Sequence, residues 1–159
     1  MILGGLLKKE GLTKSIGVSN FQIIHLQYLA TKANEMPVVN QIELHPRLTQ
    51  KPMLKYDEDH HIITQAWSPL GRGAVLGIPE LKKIADKYHK STAQVILRWH
   101  LQNGVSFIPK SVHPQRIQQN ADIYDFTLSD DEMKKIDLLN QYMRTGREPE
   151  LTYEYNRQY

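Results

Sequence analysis

The sequence predicts an α/β fold in which parallel β-strands are connected by helices. Three observations predict it: short apolar runs bounded by turn residues, helical apolar patterns between these runs, and capping boxes at several helix starts. A strand reaches a parallel neighbour only through a crossover, which is usually a helix. With 159 residues, of which 40% are hydrophobic and 23% charged, the chain can bury a globular core.

Four segments have the composition and the flanking turn residues of buried strands. The second of them follows Pro37, and the third is closed by the dipeptide Ser68-Pro69. In order along the chain, the predicted strands are Ser15–Ser19, Val38–Leu44, Ile62–Trp67 and Val105–Pro109.

Between the strands, apolar residues recur at the spacing of a helix face. The four patterns contain Phe21, Ile24, Tyr28 and Leu29; Leu81, Ile84, Ala85 and Tyr88; Thr92, Val95, Ile96 and Trp99; and Met133, Ile136 and Leu139. Three serines are followed three residues later by Gln or Glu, which predicts capping boxes at Ser19 with Gln22, Ser91 with Gln94, and Ser129 with Glu132.

The number of strands leaves the closure of the sheet open. A complete (β/α)8 barrel needs eight strands and typically about 250 residues, whereas this sequence predicts four strands. Four strands cut from such a barrel would leave two unpaired sheet edges and a bare core face. The residues therefore allow an incomplete barrel, a half-barrel that pairs with something, or an open doubly wound sheet.

The charge pattern favours a small anionic ligand over a macromolecular partner. The net charge is +3, and the basic residues are scattered without interleaved aromatics, so we expect no nucleic-acid binding. The apolar run Ile2–Leu7 is too short to cross a membrane, and we expect no membrane partner. The absence of Cys excludes disulfides and thiolate metal sites, which suits a reducing cytosol.

A glycine-rich stretch and the histidines each suggest a binding site, but we interpret both as structural features. Gly71, Gly73 and Gly77 follow a predicted strand, but the last interval is one residue too long for a dinucleotide fingerprint, so we predict a turn. The seven histidines show no ligand spacing, so we interpret them as core or solvated residues and predict no metal site.

The segment after the fourth strand is a candidate phosphate site. Lys110 and Ser111 lie on the loop that follows this strand, and Pro114 suits the first position of a helix. The free N–H groups of such a helix start attract phosphate, and Arg116 adds a planar cation on the first turn. The alternative is a solvated basic loop.

Polar and aromatic residues also collect at the predicted carboxyl ends of the other strands, where barrel enzymes build their sites. Gln41 lies toward the end of the second strand, and Glu43 shares its face. Trp67 ends the third strand, and Ser19 with Asn20 ends the first. Taken one by one, these residues suit a helix cap or core packing; together they indicate a site with amide partners and a stacking surface.

The same segments resemble a known family. Gly17–Phe21, Asn40–Pro46, Ala66–Gly71 and Ile108–Ser111, with Arg116 and Asn120, are similar to the aldo-keto reductases over about residues 9 to 140. The bacterial branch that includes the diketogluconate reductases is the most similar. The resemblance implies the C-terminal half of a (β/α)8 TIM barrel, with about four parallel strands and flanking helices. Residues 1–159 would form a single partial domain, with a C-terminal loop or tail at 141–159.

The resemblance also implies a binding site for NADPH. Ser19, Asn20 and Gln41 would hold the nicotinamide carboxamide, and Trp67 stands where the family usually has a stacking aromatic, often Tyr. The remaining implied contacts are Ser68, Leu70 and Arg72 along the pyrophosphate, Lys110, Ser111 and Arg116 at the 2′-phosphate, and Gln119, where Glu is common, with Asn120 at the adenine.

By resemblance, the full-length family reduces aldehydes and ketones to alcohols. With no Cys in the sequence, we expect a cytoplasmic protein. The family's catalytic Asp, Tyr, Lys and His belong to the N-terminal half, and no Tyr of this sequence lies in the matching context, so we expect no catalytic residue here. The chain would reduce a small carbonyl substrate only within a completed barrel. The alternatives are a catalytically inactive dinucleotide-binding half-barrel that self-associates through its exposed edges, and a non-catalytic interaction protein.

Overall fold

The structure is a computed structural model that describes residues 2–150. Helices and strands alternate through most of this range, as the crossover pattern of a parallel sheet requires. In chain order the elements are α1 (Ile2–Lys9), β1 (Gly17–Ser19), α2 (Ile23–Ala30), β2 (Val39–Glu43), α3 (Lys51–Asp59), β3 (Ile63–Trp67), a 3₁₀ turn (Gly71–Gly73), α4 (Pro79–Tyr88), α5 (Thr92–Gln102), β4 (Ser106–Phe107), α6 (Pro114–Ala121) and α7 (Asp130–Asp137).

The four strands form one parallel sheet in the order β1-β2-β3-β4. The register of β1 on β2 places Gly17 beside Val39 and Ser19 beside Gln41. Spatial order equal to chain order is the arrangement produced by successive strand–helix–strand units. The predicted fold class is therefore confirmed: parallel strands with flanking helices, as in part of a (β/α)8 barrel.

The chain divides into two compact units, and the first comprises residues 2–42 and 51–65. Its core includes Asn40 of β2, which is fully buried and donates its side-chain N–H to the carbonyl of Phe21 at 3.0 Å. The buried carboxyl of Asp57, on α3, accepts a hydrogen bond from the hydroxyl of Thr64 at 2.8 Å. Leu26 is the fully buried apolar residue of α2.

The second unit comprises residues 43–50 and 66–150. Its core is centred on α5, where Trp99 is fully buried and donates its indole N–H to Asp137 at 2.9 Å. Around it lie the buried apolar side chains of α4, α5 and α7, which include Leu81, Ile84, Val95, Ile96, Leu97 and Ile136.

Two of the three predicted capping boxes are confirmed. Ser91 accepts from the N–H of Gln94 at the start of α5, and Ser129 accepts from the N–H of Glu132 at the start of α7. The box predicted at Ser19 is wrong, because α2 starts four residues later with Gln22 as its N-cap. Ser19 still belongs to β1, where its hydroxyl donates to the carbonyl of Gln41 at 3.1 Å.

Helices α1 and α3 have no counterpart in the predicted pattern. The apolar run that becomes α1 contains two glycines, and α3 buries only two of its nine residues, so neither shows a strong helical periodicity. The expectation of a single partial domain over 1–159 stays a prediction, and its tail beyond residue 150 lies outside the described residues.

Candidate functional site

In the first unit, the predicted residues Ser19, Asn20 and Gln41 lie together at the carboxyl ends of β1 and β2. The carbonyl of Gln41 accepts from the backbone N–H of Asn20 at 2.9 Å as well as from the hydroxyl of Ser19. The side-chain amide N–H of Gln41 donates to Gln65 on β3 at 2.6 Å. Hydrogen bonding thus fixes the ends of these strands and orients the Gln41 amide.

Two strands end in residues with a positive φ. Asn20 follows β1 with φ +58°, and Ser68 follows β3 with φ +48°. A left-handed conformation is tolerated by Asn but uncommon for Ser, and such strain concentrates at functional sites. The sharp bend at Ser68 turns the chain at the point where the predicted pyrophosphate contacts begin.

In the second unit, Trp67, Ser68, Leu70 and Arg72 lie on the end of β3 and the turn that follows it. Trp67, Ser68 and Leu70 are half-buried, whereas Arg72 is exposed and has φ +52°. Gly71–Gly73 forms a 3₁₀ turn, so the prediction of a turn in place of a dinucleotide fingerprint is confirmed.

The predicted phosphate loop connects β4 with α6 in the same unit. The N–H of Ile108 donates to the carbonyl of Ala66 at 3.2 Å, which places the end of β4 beside the end of β3. Pro114 is the first residue of α6, as predicted, and His113 is its N-cap. The hydroxyl of Ser111 accepts from the N–H of His113 at 3.2 Å, so Ser111 lies directly before the helix.

Helix α6 carries the remaining predicted residues and has no buried side chain. Arg116 and Gln119 are exposed, and Asn120 is half-buried. Within the described range, the charged groups of Arg72, Lys110 and Arg116 form no hydrogen bond or ion pair. These three cations and the N-terminus of α6 are suited to bind an anion such as a phosphate group.

Glu43 contributes a feature that the sequence prediction did not assign. It is fully buried at the end of β2, and Oε1 accepts the backbone N–H of Thr145 at 2.6 Å and also its hydroxyl. Burial by itself would raise the pKa of Glu43, but the hydrogen bonds from Thr145 and Gly146, with His45 nearby, outweigh burial and lower it. The sequence signal was a carboxylate among apolar strand residues.

One buried histidine, His45, lies beside this carboxylate, and a second, His100, lies near His45. Nε2 of His45 is 3.4 Å from Oε1 of Glu43, and burial lowers the pKa of His45 even though the carboxylate opposes that effect. Burial and the nearby His45 lower the pKa of His100 to about 3. Both imidazoles are therefore neutral at pH 7, which makes them core residues as the sequence analysis interpreted them.

We also searched the described residues for cavities, metal-binding groups and membrane-spanning helices. In the second unit, a cavity of about 410 Å³ is lined by Arg47, Ile78 and Glu80 among others, and by none of the predicted site residues. No group of three or more His, Asp or Glu side chains in residues 2–150 is arranged to hold a metal ion. None of the helices in the described part of the chain has the length and hydropathy needed to cross a bilayer.

Comparison with known sequences gives a consistent result. The model of the aldo/keto reductase family matches residues 6–141. The chain is 51% identical over 144 residues to the uncharacterized oxidoreductase YtbE of Bacillus subtilis and 52% identical over 144 residues to glyoxal reductase of the same organism. It is 48% identical over 146 residues to the methylglyoxal reductase DkgA of Escherichia coli. Each match covers 91% of this chain and 51–53% of the relative, so the chain spans about half the length of these curated relatives.

Solved structures agree with the sequences. A mutant of Gox0644 in complex with NADPH superposes with a TM-score of 0.88 at 46% identity, over 92% of this chain and 54% of that one. The Bombyx mori aldo-keto reductase AKR2E4 in complex with NADP gives a TM-score of 0.86 at 34% identity, over 93% and 52% of the two chains. With a family match over 6–141 and this agreement in fold, the chain belongs to the aldo/keto reductase family.

Proposed function

We propose that this chain binds NADPH and forms the cofactor-binding half of an aldo-keto reductase that reduces aldehydes or ketones to alcohols. The observation that carries the proposal is the set of three cations, Arg72, Lys110 and Arg116, which have no partner within the described residues and follow the carboxyl ends of β3 and β4. Relatives named as glyoxal and methylglyoxal reductases support it, as do solved relatives with NADPH or NADP bound.

The second unit has the donors that the phosphate and adenine groups require. Lys110 and Ser111 precede the free N–H groups of α6, and a phosphate there would gain both the ammonium charge and the helix dipole. We assign the 2′-phosphate to Lys110, Ser111 and Arg116, and the adenine edge to the amides of Gln119 and Asn120. We assign the pyrophosphate to Ser68, Leu70 and Arg72.

The nicotinamide end has its own set of residues. In the first unit, Gln41 donates through its amide nitrogen to Gln65, which leaves its amide oxygen as an acceptor for the carboxamide N–H. Ser19 and Asn20 lie beside it at the end of β1. In the second unit, we assign ring stacking to Trp67, whose indole is half-buried and offers a large flat surface.

The division of the chemistry follows from these assignments. NADPH, when bound, supplies the hydride that reduces the carbonyl carbon. The residues of this chain bind the phosphates, orient the carboxamide and cover one face of the ring, which restricts the ring to one orientation. We propose that the acid that protonates the carbonyl oxygen lies outside these 159 residues.

A titration of the purified chain with NADPH, followed by tryptophan fluorescence, tests the proposal when it is combined with an aldehyde-reduction assay. Saturable binding without turnover is the expected result. Absence of binding would refute the cofactor assignment, and turnover by this chain alone would refute the absence of the acid. A self-associating, inactive half-barrel remains the second prediction. It rests on two exposed apolar residues, Ile63 on β3 and Ile108 directly after β4, which are 53% and 47% exposed. Light scattering tests it.

A further inference from the structure

The segment at residues 144–148, here called the strap, lies against the end of β2 in the second unit. The side chain of Arg144 donates to the carboxylate of Glu148 at 2.8 Å, which links the two ends of the strap. Just before the strap, the backbone N–H groups of Gln141 and Met143 both donate to the carbonyl of Arg47 at 3.1 Å. The strap is thus joined to the 43–50 segment by backbone hydrogen bonds as well as by a side-chain anchor.

That anchor is the carboxylate of Glu43, which has no exposed surface. Oε1 accepts from the N–H and the hydroxyl of Thr145, and both oxygens lie 3.2 Å from the N–H of Gly146. The guanidinium of Arg144 lies 3.9 Å from Oε2. A buried anion with this many donors holds the backbone of the strap in one place.

The held backbone packs on the indole of Trp67. A Cβ built on Gly146 would overlap Cη2 of Trp67 and lie 3.2 Å from Cζ3 and 3.3 Å from Oε2 of Glu43. Gly146 is therefore enclosed between the carboxylate and the six-membered ring, with no space for a methyl group. The backbone of the strap is therefore in direct contact with the indole.

We propose that Glu43 is a positioning residue that acts through Gly146 to fix the indole of Trp67 as a stacking surface for the nicotinamide ring. This inference rests on the proposed function, because it needs NADPH to stack on Trp67. Glu43 itself touches neither cofactor nor substrate in this account. Its carboxylate holds the strap, and the strap supports the indole.

Three variants each alter a different contact between Glu43, the strap and the indole of Trp67. Glu43→Gln keeps the shape of the anchor but removes its charge and one acceptor oxygen. Thr145→Val removes only the hydroxyl donor and so keeps the test available if Glu43→Gln fails to fold. Gly146→Ala places a methyl group between the indole and the carboxylate and leaves the Glu43 and Thr145 side chains in place. Glu58→Gln, at an exposed position of α3, is the matched control.

Two ligands separate positioning from general damage: NADPH, and 2′-phospho-ADP-ribose, which has the phosphates and adenine but no nicotinamide. In Glu43→Gln, Thr145→Val and Gly146→Ala we expect the affinity for NADPH to fall about five- to tenfold, which is the range of one lost aromatic contact. The affinity for 2′-phospho-ADP-ribose should stay unchanged within about twofold. Equal losses for both ligands, or no loss for NADPH, would overturn the positioning role.

Quenching of tryptophan fluorescence by succinimide gives a second readout that needs no ligand. Trp99 is fully buried, so the accessible emission comes from the half-buried Trp67. We expect the quenching constant to rise about twofold or more in Glu43→Gln and Thr145→Val, and to stay unchanged in Glu58→Gln. An unchanged quenching constant in both Glu43→Gln and Thr145→Val would overturn the proposal that the Glu43 carboxylate fixes the indole through the strap.

The affinities of the wild-type chain for the two ligands distinguish a failure of this inference from a failure of the proposed function. If the chain binds 2′-phospho-ADP-ribose as tightly as NADPH, the nicotinamide adds nothing, and the positioning role is refuted while the cofactor assignment stands. If it binds neither ligand, the proposed function itself is refuted and the positioning role with it.

Discussion

Gly146 lies with its backbone N–H 3.2 Å from both carboxylate oxygens of Glu43, although 103 positions separate the two residues in the chain. A carboxylate that is buried and accepts several N–H groups is stabilised as the anion. The Glu43 carboxylate therefore joins the end of β2 to the strap, near the end of the described residues. The charge state of this one group affects both the stability of the second unit and the surroundings of Trp67.

Glu43→Gln should lower the free energy of unfolding at pH 7 by about 2 kcal/mol, because it replaces charge-assisted hydrogen bonds with neutral ones. The lowered pKa of Glu43 means that its stabilisation is complete above the ordinary value of 4.5 and is lost as the pH falls through the folded-state pKa. Urea unfolding of both proteins between pH 7 and pH 3 measures this. A difference that stays constant over that range would contradict the ionised anchor.

Asp57→Asn should have the opposite effect in the first unit. Burial raises the pKa of Asp57, and the hydrogen bond from Thr64 offsets burial only in part. Its contribution is therefore greatest below the ordinary value of 3.8 and is lost as the pH rises through the raised folded-state pKa. At pH 7 the neutral amide should stabilise the protein by about 1 kcal/mol, and this gain should disappear below pH 3.8. A loss of stability at pH 7 would contradict this expectation. Glu58→Gln, at an exposed position of the same helix, is the control.

The capping box at the start of α7, formed by Ser129 and Glu132, can be tested by substituting each residue. Partial burial by itself would raise the pKa of Glu132, but hydrogen bonds from Lys87, Tyr88 and Ser129 outweigh burial and lower it to about 2. Ser129→Ala should cost about 1 kcal/mol through the lost cap. Glu132→Gln should cost more at pH 7, and its cost should shrink as the pH falls from 4.5 toward 2. Thermal unfolding across that range measures both, and a larger cost for the Ser129 variant would contradict the account.

Lys110→Met tests the phosphate loop. The substitution keeps the length of the side chain and removes its charge, so NADPH should bind about tenfold more weakly while NADH binding is unchanged. Calorimetric titration measures both constants. Lys83→Met, at an exposed position of α4, is the matched control and should alter neither. Equal weakening of both dinucleotides by the Lys110 substitution would place the ammonium group away from the 2′-phosphate.

Local signals predicted the elements that position the site. The apolar runs located all four strands, because turn residues flank them and each run contains apolar residues, several of them β-branched. Pro114 predicted the start of α6, and the serines at 91 and 129 predicted two more starts, because caps satisfy N–H groups that the helix leaves free. The same signal failed at Ser19, where pairing of β1 with β2 gives the hydroxyl a different partner.

Features that depend on distant contacts were not predictable in this way. Helix α3 buries only two of its nine residues and forms on a segment with few apolar residues, so its periodicity is weak. The Glu43 anchor joins residues 102 and 103 positions apart, and no local spacing predicts such a pair. Only the presence of a carboxylate inside a buried strand indicated that a set of donors had to exist somewhere in the fold.

The affinity of the purified wild-type chain for NADPH relative to NADH tests the central claim most directly. If Lys110, Ser111 and Arg116 hold the 2′-phosphate, isothermal titration calorimetry should show NADPH binding about tenfold or more tightly than NADH at low ionic strength, with the preference shrinking as salt is added. Equal affinities for the two dinucleotides, or no binding of either, would contradict the claim.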